Sequence, residues 1–86
     1  MFKEKIIYKH EKYPIYILKN YFEYQNEEYD VIYILMLPSV LTNRTDYDEL
    51  RETDFITYKI FKSTNLDELK KILKSILKEI GEIQQS

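Results

Sequence analysis

The strongest candidates for chemistry in this sequence are five carboxylates between positions 46 and 54: Asp46, Asp48, Glu49, Glu52 and Asp54. Carboxylate oxygens are the ligands that calcium and magnesium prefer. Asp46 and Asp48 suit positions one and three of an EF-hand loop, but Leu50 falls at position five. Arg51 stands where that loop needs glycine, and Thr57 replaces its terminal glutamate. The cluster predicts no metal site; we interpret it as an acidic segment that can dock a basic partner.

The rest of the sequence contains few of the residues that catalysis or cofactor binding requires. His10 is the only histidine and there is no cysteine, which excludes paired-histidine and thiolate metal sites. Gly81 is the only glycine, so no glycine-rich phosphate loop of the nucleotide-binding kind is available. We therefore expect no catalytic residues, no cofactor and no metal, and predict that the chain is not an enzyme.

Tyrosine is the other conspicuous residue type, with nine copies in 86 residues. Tyrosine forms strands well, which is one explanation of its abundance. It also supplies a large contact area at low entropic cost, so a tyrosine-lined sheet face is a candidate docking surface. The predicted partner-binding residues on the sheet are Tyr16, Tyr21, Tyr24 and Tyr33, and Tyr47 joins them from the acidic segment.

The elements that must position these residues follow from hydrophobic periodicity. Four strands are predicted at about 2–9, 13–24, 29–37 and 55–62, with a long loop over 38–54 and a helix over about 66–81. The expected fold is a single α+β domain over residues 1–86. Its four-stranded antiparallel sheet, in the order β-β-β-long loop-β, is packed on one face by the C-terminal amphipathic helix.

Three strand details bear on the docking surface. In the first strand Phe2, Ile6 and Tyr8 are expected to face the core, which leaves Lys3, Lys5 and Lys9 toward solvent. The pattern of the second strand slips near Lys19 and Asn20, which predicts a bulge or bend. The third strand is apolar at both parities over 31–37, as is typical of a central strand covered on two faces.

The helix has clear start and stop signals. Asn65 is the expected N-cap, and Glu68 three residues later completes a capping box. Gly81 suits the C-terminal end. The loop before the fourth strand has weaker signals, and Thr45 or Asp46 is expected to cap one short helical turn through Leu50. The apolar positions of the helix fall at three- and four-residue spacing: Leu69, Ile72, Leu73, Ile76, Leu77 and Ile80.

A single helix covers only one face of the sheet, so the other face of the third strand requires a cover. Three covers are compatible with the sequence: residues 38–54 folding back, a second copy of the chain, or a foreign protein. This argument predicts association through the uncovered face.

Charge and targeting signals place limits on the partner. The net charge is −2, and no block is basic enough to predict nucleic-acid binding from charge alone. We see neither a secretory signal nor an apolar run that could span a bilayer, so the expected location is the cytoplasm and no membrane partner is expected. The abundance of Lys, Ile, Tyr and Glu with no alanine is typical of an AT-rich genome.

Together these observations predict a small non-enzymatic protein-binding module. A narrower hypothesis is a phage or mobile-element inhibitor of a host nucleic-acid-handling or defence enzyme, similar in kind to anti-CRISPR proteins, in which the acidic segment imitates phosphate charge. Two alternatives stay open. One is a nucleic-acid-binding domain that uses the sheet face and the helix lysines: Lys70, Lys71, Lys74 and Lys78. The other is a homodimeric structural subunit of a larger complex.

Overall fold

A computed structural model describes residues 1–81 of the chain. It contains a five-stranded antiparallel sheet and one C-terminal helix, in the strand order β1-β2-β3-β5-β4. The predicted α+β fold is confirmed, whereas the prediction of four strands is wrong by one. The elements are β1 Phe2–Lys9, β2 Tyr16–Tyr24, β3 Glu27–Pro38, a 3-10 turn Ser39–Leu41, β4 Glu49–Thr53, β5 Ile56–Ser63 and α1 Leu66–Glu79.

The additional strand, β4, lies inside the segment that was predicted to be a loop. It pairs with β5 from Glu49 opposite Ile60 to Thr53 opposite Ile56, at the edge of the sheet. The helical turn predicted from Thr45 or Asp46 through Leu50 does not form, because the backbone of this region continues into the β4 ladder. A short polar edge strand has no buried face, so it lacks the hydrophobic alternation by which strands are predicted.

Two hairpins share an unusual turn. Tyr24 pairs with Glu27, and Thr53 pairs with Ile56, so each hairpin closes through two residues. Both turn residues have positive φ in each case: 50° and 64° at Gln25 and Asn26, and 52° and 66° at Asp54 and Phe55. These are the φ values of a type I′ turn, which matches the right-handed twist of the flanking strands. Neither turn contains glycine, the residue that this conformation favours.

The helix begins as its cap predicts, with one change in the hydrogen bonding. The Asn65 side chain accepts from the amide of Asp67 at 3.0 Å. Glu68 does not close the capping box directly; its carboxylate accepts from the Ser63 hydroxyl at 2.7 Å. That hydroxyl oxygen in turn accepts from the Asn65 amide at 2.9 Å. Ser63 therefore links the end of β5 to the first turn of α1.

Two irregularities in register decide which side chains share a face. In β1 the register with β2 shifts between Ile6 and Tyr8, which leaves Ile7 as an extra residue. Between β2 and β3 it shifts between Asn20 and Phe22, with the extra residue on β3, where Asp30 has a φ of 53°. Because of the first shift, the expectation that Phe2, Ile6 and Tyr8 share the core face is wrong.

The sheet buries apolar side chains on both faces. The helix-side cluster contains Ile15, just before β2, with four sheet residues and four helix residues: Ile17, Leu35, Leu37, Phe61, Leu69, Leu73, Ile76 and Leu77. The opposite-side cluster is smaller: Leu18, Ile34, Tyr58 and Ile60. Ile60 has 0% exposure although no helix covers it, because Tyr16, Met36 and Ile56 surround its cluster. On this face, side chains of the sheet itself therefore bury much of the apolar surface for which the sequence predicts a separate cover.

The segment between β3 and β4 folds toward the helix. Leu41 and Tyr47 pack against the helix-side cluster. The Lys59 ammonium donates to the carbonyl oxygens of Thr42 at 2.9 Å and Arg44 at 2.7 Å. Of the three covers considered for the opposite face, residues 38–54 therefore contribute only β4, at its edge.

Candidate functional site

The four predicted sheet tyrosines lie on two different faces. Tyr16 and Tyr24 share the parity of Leu18 on β2, on the face opposite the helix. Tyr21 and Tyr33 lie on the helix side, where Tyr21 is buried and Tyr33 packs against the helix-side cluster. Tyr24 is the only one of the four with an exposed side chain. The structure therefore does not bring the four together on one surface.

Asp46, the first of the five carboxylates, is engaged within the chain. Arg44 donates to its two oxygens, from Nε at 3.0 Å and from Nη2 at 2.7 Å. This bidentate contact lowers the pKa of Asp46, with the Arg44 hydrogen bond as the main cause. Beside it, Tyr47 lies under the Lys59 ammonium, which is 5.4 Å from the centre of its ring. Asp46 and Tyr47 both hold the connection in place.

Asp48 and Glu49 are engaged as well. Asp48 accepts from the backbone amide of Lys62 at 2.6 Å. Glu49 accepts from Lys62 at 3.1 Å and from Arg51 at 2.9 Å, and the Lys62 hydrogen bond is the main cause of its lowered pKa. Glu52 and Asp54 are exposed, and neither forms an ion pair within residues 1–81. Three of the five carboxylates therefore have their charge at least partly compensated inside the chain.

A different group of side chains forms an exposed apolar surface, which we call the aromatic end: Phe2, Ile6, Phe22, Tyr24 and Tyr29. Phe2 lies opposite Phe22, and Phe22 lies opposite Tyr29, so the row crosses β1, β2 and β3 on one face. Ile6 pairs with Leu18, which places it on the same face beside the opposite-side cluster. Phe2 is 86% exposed, Ile6 60%, Tyr24 58% and Tyr29 44%.

The aromatic end has a fixed internal geometry. The rings of Phe2 and Phe22 meet edge to face, with centroids 5.2 Å apart and planes at 71°. The Tyr29 hydroxyl donates to the Glu27 carboxylate at 2.8 Å. That hydrogen bond is the main reason that the pKa of Tyr29 is raised. The exposed rings are therefore held by strand pairing and by contacts with neighbouring side chains.

Two glutamates share the face of the aromatic end. Glu27 lies opposite Tyr24, whereas Glu4, opposite Asn20, lies between Phe2 and Ile6 and separates Ile6 from the row of rings. Within residues 1–81 neither glutamate forms an ion pair. Lys3 and Lys19 lie on the helix side, where they are paired with Glu23 and Glu28. Lys9, opposite Tyr16, lies on the same face as the aromatic end. A complementary partner would combine apolar side chains with basic ones.

A smaller exposed apolar site lies at the other end of the sheet. Phe55 in the β4–β5 turn is fully exposed, and Val40 in the 3-10 turn is 90% exposed. Tyr58 pairs with Pro38, so β5 begins beside the 3-10 turn. The two residues provide a reference for testing the aromatic end.

The residues that could support metal or acid–base chemistry are dispersed. Within residues 1–81 no group of three or more histidine or carboxylate side chains is placed to hold a metal ion. His10 has a structural task, because its Nδ1 accepts from the backbone amides of Lys12 at 3.0 Å and Tyr13 at 3.2 Å. The described part of the chain also contains no helix with the length and apolar character needed to cross a bilayer.

Comparison of the chain with protein-family models, with curated proteins and with solved structures finds no match. Any functional inference therefore depends on the surfaces described above.

Proposed function

We propose that this chain is a non-enzymatic protein-binding module that docks through the aromatic end to a protein surface that combines apolar and basic side chains. The observation that carries the proposal is the exposure of Phe2, Ile6, Tyr24 and Tyr29 on one face, in register across three strands. Several large apolar side chains exposed on one face are typical of interaction sites.

The energetics of association favour this surface. Aromatic residues are enriched among the side chains that contribute most to binding, since they bury a large area with few rotatable bonds. Phe2 and Phe22 already contact each other, so little further ordering is required when a partner arrives. Glu4 and Glu27, which form no ion pair within residues 1–81, add charge selection on the same face.

The narrower hypothesis, a mobile-element inhibitor of a nucleic-acid-handling or defence enzyme, remains a proposal about the identity of that partner. A nucleic-acid-binding enzyme has a basic surface, which would complement Glu4 and Glu27. The segment from Asp46 to Asp54 gives less support to phosphate imitation than its composition indicates, because within residues 1–81 only the side chains of Glu52 and Asp54 have no salt bridge or hydrogen bond.

The test compares two matched double variants. Phe2→Ser with Ile6→Ser removes apolar area from the aromatic end, and Val40→Ser with Phe55→Ser removes it from the other end of the sheet. All four side chains are at least 60% exposed, so both proteins should fold like the parent. A photo-crosslinking amino acid is then placed at position 24 or at position 55, and each protein is expressed in its source cells.

We expect a partner to be crosslinked from position 24 and not from position 55, and to be identified by mass spectrometry. With the purified partner, the Phe2/Ile6 variant should bind more than about tenfold more weakly, and the Val40/Phe55 variant should bind like the parent. Equal losses in the two variants would overturn the proposal. Sedimentation equilibrium should show a monomer; a dimer that the Phe2/Ile6 variant abolishes would instead assign the aromatic end to a second copy.

A further inference from the structure

A groove lies on the other side of the sheet, between the edge strand β1 and the helix. Its volume is about 520 Å³. The sheet contributes Ile7, Tyr8 and Ile17, and the helix contributes Leu66, Lys70, Leu73, Lys74 and Leu77. Apart from the two lysines and the Tyr8 hydroxyl, the side chains that line it are hydrocarbon.

The bulge in β1 builds one wall of this groove. In a regular strand Ile7 and Tyr8 would point to opposite faces. The register shift between Ile6 and Tyr8 places Tyr8 opposite Ile17 on the helix side, and Ile7 lines the same groove. Ile7 nevertheless remains 38% exposed. The helix packs on β3 and β5, so the helix-facing surface of β1 stays open beside it.

Lys70 and Lys74 are one helical turn apart and lie on the same side of α1. Within residues 1–81 neither forms an ion pair or a hydrogen bond with another side chain. A long lysine side chain can lay its methylene groups along apolar surface while the ammonium stays in water. These two therefore supply a cationic border to an otherwise hydrocarbon groove.

We propose that this groove binds a free anionic amphiphile with a single alkyl chain and a carboxylate head group. The alkyl chain would lie against Ile7, Ile17 and Leu73, and the carboxylate would accept hydrogen bonds from Lys70 and Lys74. The volume lies in the range of small-molecule sites, which are mostly apolar with a few placed polar groups. The site is separate from the aromatic end, which is on the opposite face, so the two proposals stand independently.

Dodecanoate is the probe, used below its critical micelle concentration and titrated into the full chain by isothermal calorimetry. Dodecyltrimethylammonium, with the same chain length and opposite charge, is the comparison ligand. We expect saturable binding of one dodecanoate per chain and no saturable binding of the cation. In a ¹H–¹⁵N spectrum the amide shifts should concentrate at Ile7, Tyr8 and along Leu66–Leu77.

Two matched pairs of variants separate the site from nonspecific attraction. Lys70→Gln with Lys74→Gln should weaken dodecanoate binding about tenfold, whereas Lys71→Gln with Lys78→Gln removes the same charge away from the groove and should have little effect. Ile7→Asn should weaken binding, whereas Ile6→Asn, on the opposite face, should not. Any one of three results would overturn the proposal: no saturable binding of dodecanoate, equal losses of affinity within either pair of variants, or amide shifts confined to the aromatic end.

Discussion

The Lys59 ammonium lies 2.7 Å from the backbone carbonyl oxygen of Arg44, a contact that joins the middle of β5 to the connection before β4. The same ammonium donates a second hydrogen bond, 2.9 Å long, to the backbone carbonyl oxygen of Thr42, which is a buried residue. One side chain thus holds the turn that brings Tyr47 onto the helix-side cluster.

Replacement of Lys59 by methionine keeps most of the unbranched side chain and removes both hydrogen bonds. We expect the free energy of unfolding to fall by about 1.5–3 kcal/mol, the range for hydrogen bonds made by charged groups. Urea unfolding followed by circular dichroism measures the change. Lys71→Met, on the exposed face of α1, is the control and should change the stability little. Equal effects of the two substitutions would show that the Lys59 contacts contribute nothing specific.

The two type I′ turns predict different responses to glycine. Phe55 has a φ of 66° with a fully exposed ring, so it carries the steric cost of a left-handed conformation without a compensating contact. Phe55→Gly should stabilise the protein by about 0.5–1 kcal/mol, after allowance for the greater freedom of glycine in the unfolded chain. Asn26→Gly, at the equivalent position of the other hairpin, should give a smaller gain because asparagine tolerates this conformation. Thermal unfolding of the two variants checks the order, which a larger gain at Asn26 would contradict.

The Glu49 carboxylate predicts a pH dependence of stability. Its pKa is lowered in the folded state, chiefly by the hydrogen bond from Lys62 and then by that from Arg51. The contribution of Glu49 to the free energy of unfolding is therefore fully present above the unfolded pKa, and it is lost as the pH falls through the lowered folded pKa. In Lys62→Gln an NMR titration should show the Glu49 pKa moving up toward its ordinary value, while Lys71→Gln leaves it in place. An unchanged titration in Lys62→Gln would mean that the ion pair does not persist in solution.

The nucleic-acid alternative predicts a simple measurement. Lys3 and Lys19 are paired with glutamates, and the helix lysines share their surface with Asp67, Glu68 and Glu79. We therefore expect no saturable binding of a single-stranded oligonucleotide in a fluorescence anisotropy titration at low salt. Binding with a steep salt dependence would favour a nucleic-acid ligand over the proposed protein partner. Loss of that binding in Lys70→Gln with Lys74→Gln, but not in Phe2→Ser with Ile6→Ser, would locate it on the helix side.

The sequence predicts the long, strongly patterned elements well and the edges of the sheet poorly. The helix is evident because its apolar residues repeat at helical spacing and Asn65 caps it. β4 is not evident, because an exposed edge strand is held by backbone pairing and by ion pairs such as Glu49 with Lys62, neither of which produces an apolar alternation. Its turn at Asp54 and Phe55 also lacks the glycine that would mark a hairpin.

The aromatic end illustrates a second limit of the sequence. Phe2 and Ile6 were expected in the core because they share parity with Tyr8. The extra residue at Ile7 places Tyr8 on the other face of the sheet from Phe2 and Ile6. Because Ile6 and Ile7 are the same residue type, the sequence does not indicate which of them forms the bulge. Of the sheet tyrosines proposed for docking, Tyr24 belongs to the aromatic end, whereas Phe2, Phe22 and Tyr29 could be added only once the register was known.

The opposite-side cluster has a consequence for the way in which this protein opens. Leu18, Ile34, Tyr58 and Ile60 are buried by strands alone, so detachment of α1 would leave them packed. We therefore expect two classes of amide hydrogen exchange. Helix amides should exchange through a local opening of low free energy, whereas β3 amides should exchange only through global unfolding. The helix would then detach from a sheet that keeps its own fold.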